Sequence, residues 1–206
     1  MTRRSVSPLI GGILLASTLA FGGVRLAAQA TGAITGNVDV AGIPNDANVV
    51  IYIEKAPGTF PPQAAEMDQH DMEFRPHILP VVVGSTVTFL NHDPVPHNVF
   101  SPDYEKYDLG TWKMGLTRSY TFKTCRVFPC AYTQLCRLHQ DMSAHIVVLQ
   151  NPYFAVSDTS GNYTIKDVPA GSYTLAVWYA NRLTAAPKSL TVAAGKTLTE
   201  DFALKP

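Results

Sequence analysis

The sequence predicts an all-β protein built from two β-sandwiches. Short runs rich in β-branched and aromatic residues recur along the chain, and Gly, Pro, Asn and Asp separate them at short intervals. No window of about 12 residues repeats its apolar residues with the period of a helix. Many short strands punctuated in this way are typical of sandwiches and barrels.

The predicted strands are of two kinds. Continuous apolar runs are expected of strands that are buried on both faces, and alternating runs of strands with one face in a core. The continuous runs are Asn48–Glu54, Ser85–Asn91 and Ala144–Leu149, and the alternating runs are Ser119–Phe122, Asn162–Val168 and Ser172–Trp178. The segment Lys55–Gln69, rich in proline and small residues, is predicted to be a linker.

The first 30 residues have the pattern of an export signal. Two arginines, Arg3 and Arg4, precede a mainly apolar run from Pro8 to Val24, and Ala28-Gln29-Ala30 is a small-x-small cleavage site. The apolar run is shorter than the roughly 20 residues of a spanning helix. We therefore expect residues 1–30 to be a cleaved signal peptide and the mature protein to be periplasmic. In the alternative, the segment stays uncleaved and anchors the protein to the membrane.

Charge and cysteine content narrow the function classes. The chain has 16 basic and 16 acidic residues and no basic run, which argues against nucleic acid as a partner. Three cysteines in an exported protein suggest one disulfide and one cysteine with another role. We expect Cys125 and Cys130 to form the disulfide, while a bond from Cys136 to one of them is the alternative.

The C-terminal part carries a motif of its own. In "SDTSGNYTIKDVPAGSYTLAVW", Ser157–Trp178, a tight turn at Asp158 and Gly161 leads into one alternating strand, and Pro169-Ala170-Gly171 turns the chain into the next. The pattern D-x-x-G-x-aromatic followed by P-x-G-x-Y resembles the carboxypeptidase regulatory-like, transthyretin-like β-sandwich. The resemblance implies a fold and says little about function, because such modules are usually structural.

That family opens with a strand of the form I-x-G-x-V, a glycine turn and a second strand rich in Val and Ile. Residues 150–206 lack this opening, whereas Ala33–Glu54 has it. We therefore predict a discontinuous sandwich formed by residues 33–58 and 150–206, with residues 60–149 inserted as a second domain. The alternative is one domain over residues 33–149 followed by an independent C-terminal domain.

Three metal-capable side chains lie three residues apart in "LCRLHQDM": Cys136, His139 and Met142. They fall on a loop between two predicted strands. His97 begins another strand after a turn at Asp93-Pro94, and it joins the three if both loops lie at the same end of a sandwich. One thiolate, two imidazoles and a thioether form the donor set of a mononuclear type 1 (blue) copper site. Zinc accepts the same Cys and His ligands, but divalent copper binds more strongly at a given site.

The motif H-N-V at His97, followed later by C-x2-H-x2-M, resembles the cupredoxin family with the short ligand loop of its amicyanin-like members. The resemblance covers Met72 to Leu149 and implies a Greek-key β-sandwich. It also implies three equatorial copper ligands and an axial one, which are His97, Cys136 and His139, and Met142. The N–H of Asn98 would donate to the cysteine sulfur. The order of the two modules resembles periplasmic plastocyanin-like proteins often labelled methylamine utilisation proteins.

The expected function follows from this site. Four protein ligands leave no open position for a substrate, so we expect no enzyme but a carrier of single electrons between redox partners, such as a dehydrogenase or a cytochrome. The partner would dock on an apolar collar around His139, formed by Pro94, Val95, Pro96 and Leu138. The alternatives are a copper storage or delivery protein and a non-redox β-sandwich scaffold. A membrane is expected as a partner only if the N-terminal segment is uncleaved.

Overall fold

The computed structural model describes residue 1 and residues 30–42, 47–180 and 183–206, which form strands and no helix. This confirms the predicted all-β class. Residues 2–29 of the predicted signal peptide lie outside the described residues. Within the described ranges, no helix has the length and apolar character needed to cross a bilayer.

The strands, in chain order, are β1 (Thr31–Val40), β2 (Val50–Ile53), β3 (Ala64–His70), β4 (Glu73–Arg75), β5 (Ile78–Val82), β6 (Thr86–Phe89), β7 (His97–Ser101), β8 (Tyr107–Trp112), β9 (Arg118–Thr121), β10 (Cys130–Leu135), β11 (Ser143–Leu149), β12 (Phe154–Val156), β13 (Asn162–Pro169), β14 (Gly171–Trp178), β15 (Lys188–Val192), β16 (Thr197–Thr199) and β17 (Phe202–Leu204). Each of the six predicted strand runs overlaps one of them.

Strands β3–β11 form the first sandwich. Its two sheets have the strand orders β5-β11-β10-β7-β8 and β4-β3-β6-β9. Alternate residues of β10 point into the core, where Tyr132 is fully buried together with Phe89 of β6 and Ile146 of β11. Burying a large apolar side chain contributes about 1.5–3 kcal/mol, so this core fixes the ends of β7, β10 and β11 relative to one another.

The predicted linker Lys55–Gln69 is wrong at its C-terminal end, because Ala64–His70 form β3. The strand pairs in parallel with β6, from Ala64 opposite Thr86 to Met67 opposite Phe89. Its sequence "AAEMDQH" has little intrinsic preference for a strand. The pairing with β6 and the complete burial of Met67 impose the extended conformation, and neither is visible in a local pattern.

The remaining strands form the second sandwich. One sheet has the order β13-β1-β16, with β17 also on β1, and the other has the order β12-β2-β14-β15. The N-terminal strands β1 and β2 thus pair with strands that lie far along the chain. Gly36 explains the glycine of the I-x-G-x-V motif: a Cβ atom there would lie 1.8 Å from the carbonyl oxygen of Glu200, a contact that another residue type could not make without moving the backbone.

Strand β11 has one face in each of two cores. Ala144, Ile146 and Val148 point into the first sandwich. Val147 and Leu149, on the opposite face, are buried in a separate apolar cluster. The other buried members of this interface cluster are Val50, Tyr52, Ile78 and Ala176. The outer face of the five-stranded sheet is therefore covered by the second sandwich along β5 and β11.

Candidate metal centre

The elements of the first sandwich bring the two predicted metal-binding segments together. His97 is the first residue of β7, Cys136 directly follows β10, and Met142 directly precedes β11. Because β7, β10 and β11 are neighbours in one sheet, these three residues lie at the same end of it. His139 lies on the loop between β10 and β11. Its carbonyl oxygen accepts a hydrogen bond from the N–H of Met142 at 3.2 Å, which closes the loop.

Three donor atoms converge on one point. The Nδ1 atoms of His97 and His139 are 2.9 Å apart, and the Sγ atom of Cys136 lies 4.0 Å and 3.6 Å from them. Bonds of about 2.0 Å to nitrogen and about 2.3 Å to sulfur let a single ion reach all three atoms. Within the described residues, no other group of three His, Cys, Asp or Glu side chains is placed to share an ion.

The chemistry of these donors fits copper. A thiolate and imidazoles are the soft and intermediate ligands that copper prefers over oxygen ligands. Met142 is nearby and 2% exposed, Cys136 is 4% exposed and His97 is fully buried. His139 is thus the half-buried member of the group, and the other three side chains are buried.

A hydrogen-bond network surrounds the sulfur atom. The N–H of Asn98 donates to Sγ of Cys136 at 3.4 Å, and the side chain of Asn98 accepts from the N–H of Arg137 at 3.3 Å. The Asn98 amide also donates to Asp108 Oδ1 at 2.7 Å and to the carbonyl of Gly110 at 2.8 Å. Asn98 therefore ties the cysteine to both β7 and β8.

Arg137, next to the cysteine, is fixed on the surface. Its Nε atom donates to Asp108 Oδ2 at 2.8 Å, and its guanidinium lies 4.1 Å above the ring of Phe100. Hydrogen bonds from Arg137, from the N–H of Gly110 and from Asn98 lower the pKa of the Asp108 carboxyl. This pair orders the start of the ligand loop.

The other nitrogen of the His97 ring has a partner that the sequence did not reveal. Its Nε2 atom is 2.7 Å from Oδ2 of Asp93, which places the ring with Nδ1 toward Cys136 and His139. The Asp93 carboxylate also accepts the N–H groups of Asp71 at 2.7 Å and Met72 at 2.9 Å. Burial alone would raise the pKa of Asp93, but hydrogen bonds from Met72, His97 and Asp71 outweigh it and hold the pKa below its usual value.

Several exposed apolar side chains lie on the loops at the metal-binding end of the first sandwich. The predicted collar residues Pro94, Val95, Pro96 and Leu138 are all exposed. Three further exposed apolar residues lie on loops at the same end of the sandwich: Met72, Met114 and Leu116. Two backbone contacts hold these loops in place, since Met72 donates to Asp93 and Gly115 donates to the carbonyl of Asn91 at 2.8 Å.

The three cysteines form one disulfide and leave one free thiol, as the sequence predicts. Cys125 and Cys130 form a disulfide, and Cys136 is a free, buried thiol. The alternative, in which Cys136 pairs with one of the other two, is therefore wrong. The disulfide closes the loop between β9 and β10 at the end of the sandwich away from the metal centre.

The sheet topology and the convergent His, Cys and His side chains define an all-β protein with a group of donors placed to share one metal ion and compatible with copper. Residues 62–149 match the model of the copper binding proteins of the plastocyanin/azurin family, and residues 142–205 match the carboxypeptidase regulatory-like domain. Residues 62–149 are thus similar to the plastocyanin/azurin copper-binding family, and residues 142–205 to the carboxypeptidase regulatory-like domain. The two matches overlap over residues 142–149, which include β11, the strand with a face in each core.

Several solved structures resemble part of the chain. A variant of amicyanin in its oxidised state is 28% identical, with 41% of this chain and 81% of that chain covered and a TM-score of 0.37. A purple cupredoxin from Nitrosopumilus maritimus is 23% identical, with 41% and 98% covered and a TM-score of 0.36. A copper-containing nitrite reductase from Thermus scotoductus SA-01 is 21% identical with a TM-score of 0.39, and the match covers 48% of this chain but only 25% of the reductase.

With TM-scores this low, these likenesses by themselves assign no function to the chain. No protein of curated function matches it significantly. The copper assignment therefore depends on the family model and on the geometry of the donor atoms.

Proposed function

We propose that this protein is an exported, periplasmic blue copper protein that carries single electrons between redox partners. His97, Cys136 and His139 would be the equatorial ligands and Met142 the axial one. The observation that carries the proposal is the convergence of two imidazole nitrogens and one thiol on a single point, where His97 and Cys136 are buried and His139 is half-buried. This donor set is that of a type 1 copper centre, and electron transfer is the general role of such domains.

The bound metal would supply the Cu(II)/Cu(I) couple. The chain's own residues would hold the coordination nearly unchanged during transfer, because strand ends position His97, Cys136 and Met142, and Asn98 fixes the sulfur atom. Four protein ligands leave no position for a substrate. This supports a carrier rather than an enzyme.

The edge of His139 would be the point of electron exchange. It is the half-buried member of the donor set, and the exposed collar of Pro94, Val95, Pro96 and Leu138 offers an apolar surface beside it. Weak redox encounters bury less than about 1,200 Å², an area that such a collar can provide. We propose a redox protein, such as a dehydrogenase or a cytochrome, as the partner.

The burial of the ligands separates this function from copper storage or delivery. A delivery protein needs ligands that an acceptor can reach, whereas His97 is fully buried and Cys136 is 4% exposed. The test is the colour and redox behaviour of the copper-loaded protein. An intense blue or green colour that is bleached by ascorbate and restored by ferricyanide supports a carrier, and a colourless centre that binds only Cu(I) would contradict it.

Replacing the axial ligand gives a graded prediction. We expect Met142→Leu to keep the intense colour, because the thiolate and both imidazoles remain, and to raise the reduction potential, because a weak donor to Cu(II) is lost. The buried position would stay filled by a side chain of similar volume. Protein-film voltammetry measures the shift, and an unchanged or lowered potential would remove Met142 from the ligand set.

We further propose the discontinuous layout, with residues 33–58 and 150–206 as one sandwich and residues 60–149 as the insert. Contacts between the two crossing points support it: Gln150 Oε1 accepts the N–H of Ala56 at 3.1 Å, and the Asn151 amide donates to the carbonyl of Ile53 at 2.8 Å. Insertion is tolerated where the ends of the insert lie close together.

This layout predicts that the second sandwich folds without the insert. A chain in which a short Gly-Ser linker replaces residues 59–149 should unfold cooperatively in urea. If that chain is unfolded while residues 33–149 fold stably by themselves, the consecutive layout is the right one.

A further inference from the structure

The turn between β3 and β4 lies outside the segments that carry the metal donors. It is nevertheless connected to the metal centre through the side chain of Asp93, which lies between the turn and His97. Asp71 and Met72 form this turn and both have left-handed backbones, with φ of 52° and 61°. Residues other than glycine seldom adopt this conformation. Successive N–H groups in such turns can point toward one anion. Here both N–H groups donate to the carboxylate of Asp93.

Asp93 is fixed from several sides and is 5% exposed. Its own N–H donates to Oδ1 of Asn91 at 2.9 Å, and the Asn91 amide donates in turn to the carbonyls of Val95 and Trp112, each at 3.1 Å. The carboxylate therefore cannot turn away from the ring of His97 without breaking its bonds to the turn. Its oxygens accept two backbone N–H groups and lie 2.7 Å from one imidazole nitrogen.

The orientation of the His97 ring is fixed by its burial and by the contacts of both of its nitrogen atoms. It is fully buried, and its Nδ1 atom lies among the donor atoms while Nε2 faces Asp93. A carboxylate on the far nitrogen of a ligand histidine fixes the tautomer and makes the ligand more basic. A more basic ligand and a nearby negative charge both favour the more highly charged metal ion, Cu(II).

We propose that the β3–β4 turn, acting through Asp93, positions His97 and keeps the reduction potential of the copper centre low. Asp71 and Met72 hold the carboxylate with their backbone N–H groups, and the carboxylate holds the imidazole. Asp93 is thus a positioning residue, and the left-handed conformation of the turn is what aims its donors. The inference rests on the proposed copper function and adds a structural element that sets its potential.

The first test replaces Asp93 by asparagine. Loss of such a partner lowers metal affinity by about 10- to 100-fold. If Cu(II) affinity falls tenfold more than Cu(I) affinity, the potential rises by about 59 mV. The matched control is Asp71→Asn, which removes an exposed carboxylate at the same end of the sandwich. It keeps the backbone N–H and a residue type that tolerates the left-handed conformation. We expect a clear upward shift for Asp93→Asn and a much smaller one for Asp71→Asn.

The second test changes the turn and leaves Asp93 in place. Met72→Gly removes the side chain but adopts the left-handed conformation freely, so the potential should stay close to that of the wild type. Met72→Val places a β-branched residue where its backbone is strained, which should displace the N–H from Asp93. The potential should then rise in the same direction as in Asp93→Asn. Equal potentials in the two Met72 variants would overturn the role of the turn.

The hydrogen bond between His97 and Asp93 can also be tested in the protein without copper. In the apo wild-type protein, ¹⁵N NMR of the histidine rings should find His97 with its proton on Nε2, as a donor to Asp93. A proton on Nδ1 would overturn the inference even if Asp93→Asn failed to fold. If the copper-loaded wild-type protein is blue but Asp93→Asn and Asp71→Asn have equal reduction potentials, this inference alone is contradicted. If the copper-loaded wild-type protein is colourless, the proposed function is contradicted.

Discussion

Cys136→Ser protein loaded with Cu(II) is expected to lack the intense visible absorption of the wild type. The thiolate is the one soft anionic donor among the proposed ligands, and the strong colour of type 1 centres comes from charge transfer between this sulfur and Cu(II). A serine hydroxyl stays protonated near neutral pH and is a poor substitute. Since the loss of a mere outer partner costs about 10- to 100-fold in metal affinity, we expect the loss of the ligand itself to cost more. Visible spectra and a competition titration with a copper chelator measure both effects.

The disulfide provides the control for this experiment. A double variant, Cys125→Ser with Cys130→Ser, removes two cysteines from the same sandwich and leaves Cys136 in place. It should keep the colour, although it should unfold at lower denaturant concentration because an unfolded chain without the cross-link has more conformational freedom. A blue Cys136→Ser protein, or a colourless double variant that is still folded, would contradict the assignment of the sulfur ligand.

The ligand set could be proposed from the sequence because three of its four members are metal-binding residue types at short, regular spacing. Cys136, His139 and Met142 lie on one loop, and a loop that closes on itself holds its side chains together whatever the rest of the fold does. His97 required one more assumption, namely that two loops share one end of a sandwich. The structure brings His97, Cys136 and His139 together as that assumption demands.

Asp93 and its partners could not be proposed in the same way. In the sequence Asp93 is part of a turn before a proline, and such aspartates are common. Its hydrogen bonds from the N–H groups of Asp71 and Met72 form only because β3 pairs with β6, which brings the turn after β3 beside it. Strand β3 is also the strand that the sequence pattern assigned to a linker. Because the local sequence pattern did not predict β3, it could not predict the hydrogen bonds between Asp93 and the turn that follows β3.

The second large expected effect concerns stability and follows from the burial of the outer face of β11 against the second sandwich. Val147 is fully buried although it points away from the core of the first sandwich. Its neighbours in the interface cluster are apolar, among them Ile78 on β5 and Val50 on β2. A charged side chain at this position would meet no partner in the cluster. Removing one member of a buried ion pair, which leaves an uncompensated charge of this kind, costs about 3–5 kcal/mol.

We expect Val147→Asp to lower the thermal midpoint of the apo protein by about 6–20 °C, because 1 kcal/mol corresponds to about 2–4 °C in proteins of 150–250 residues. The control is Thr191→Asp, which places the same charge on β15 of the second sandwich at an exposed position. Exposed substitutions of this kind change stability by less than about 0.5 kcal/mol. Differential scanning calorimetry compares the two. Equal midpoints would mean that the outer face of β11 is open to water in solution, and the two sandwiches would then not share this face.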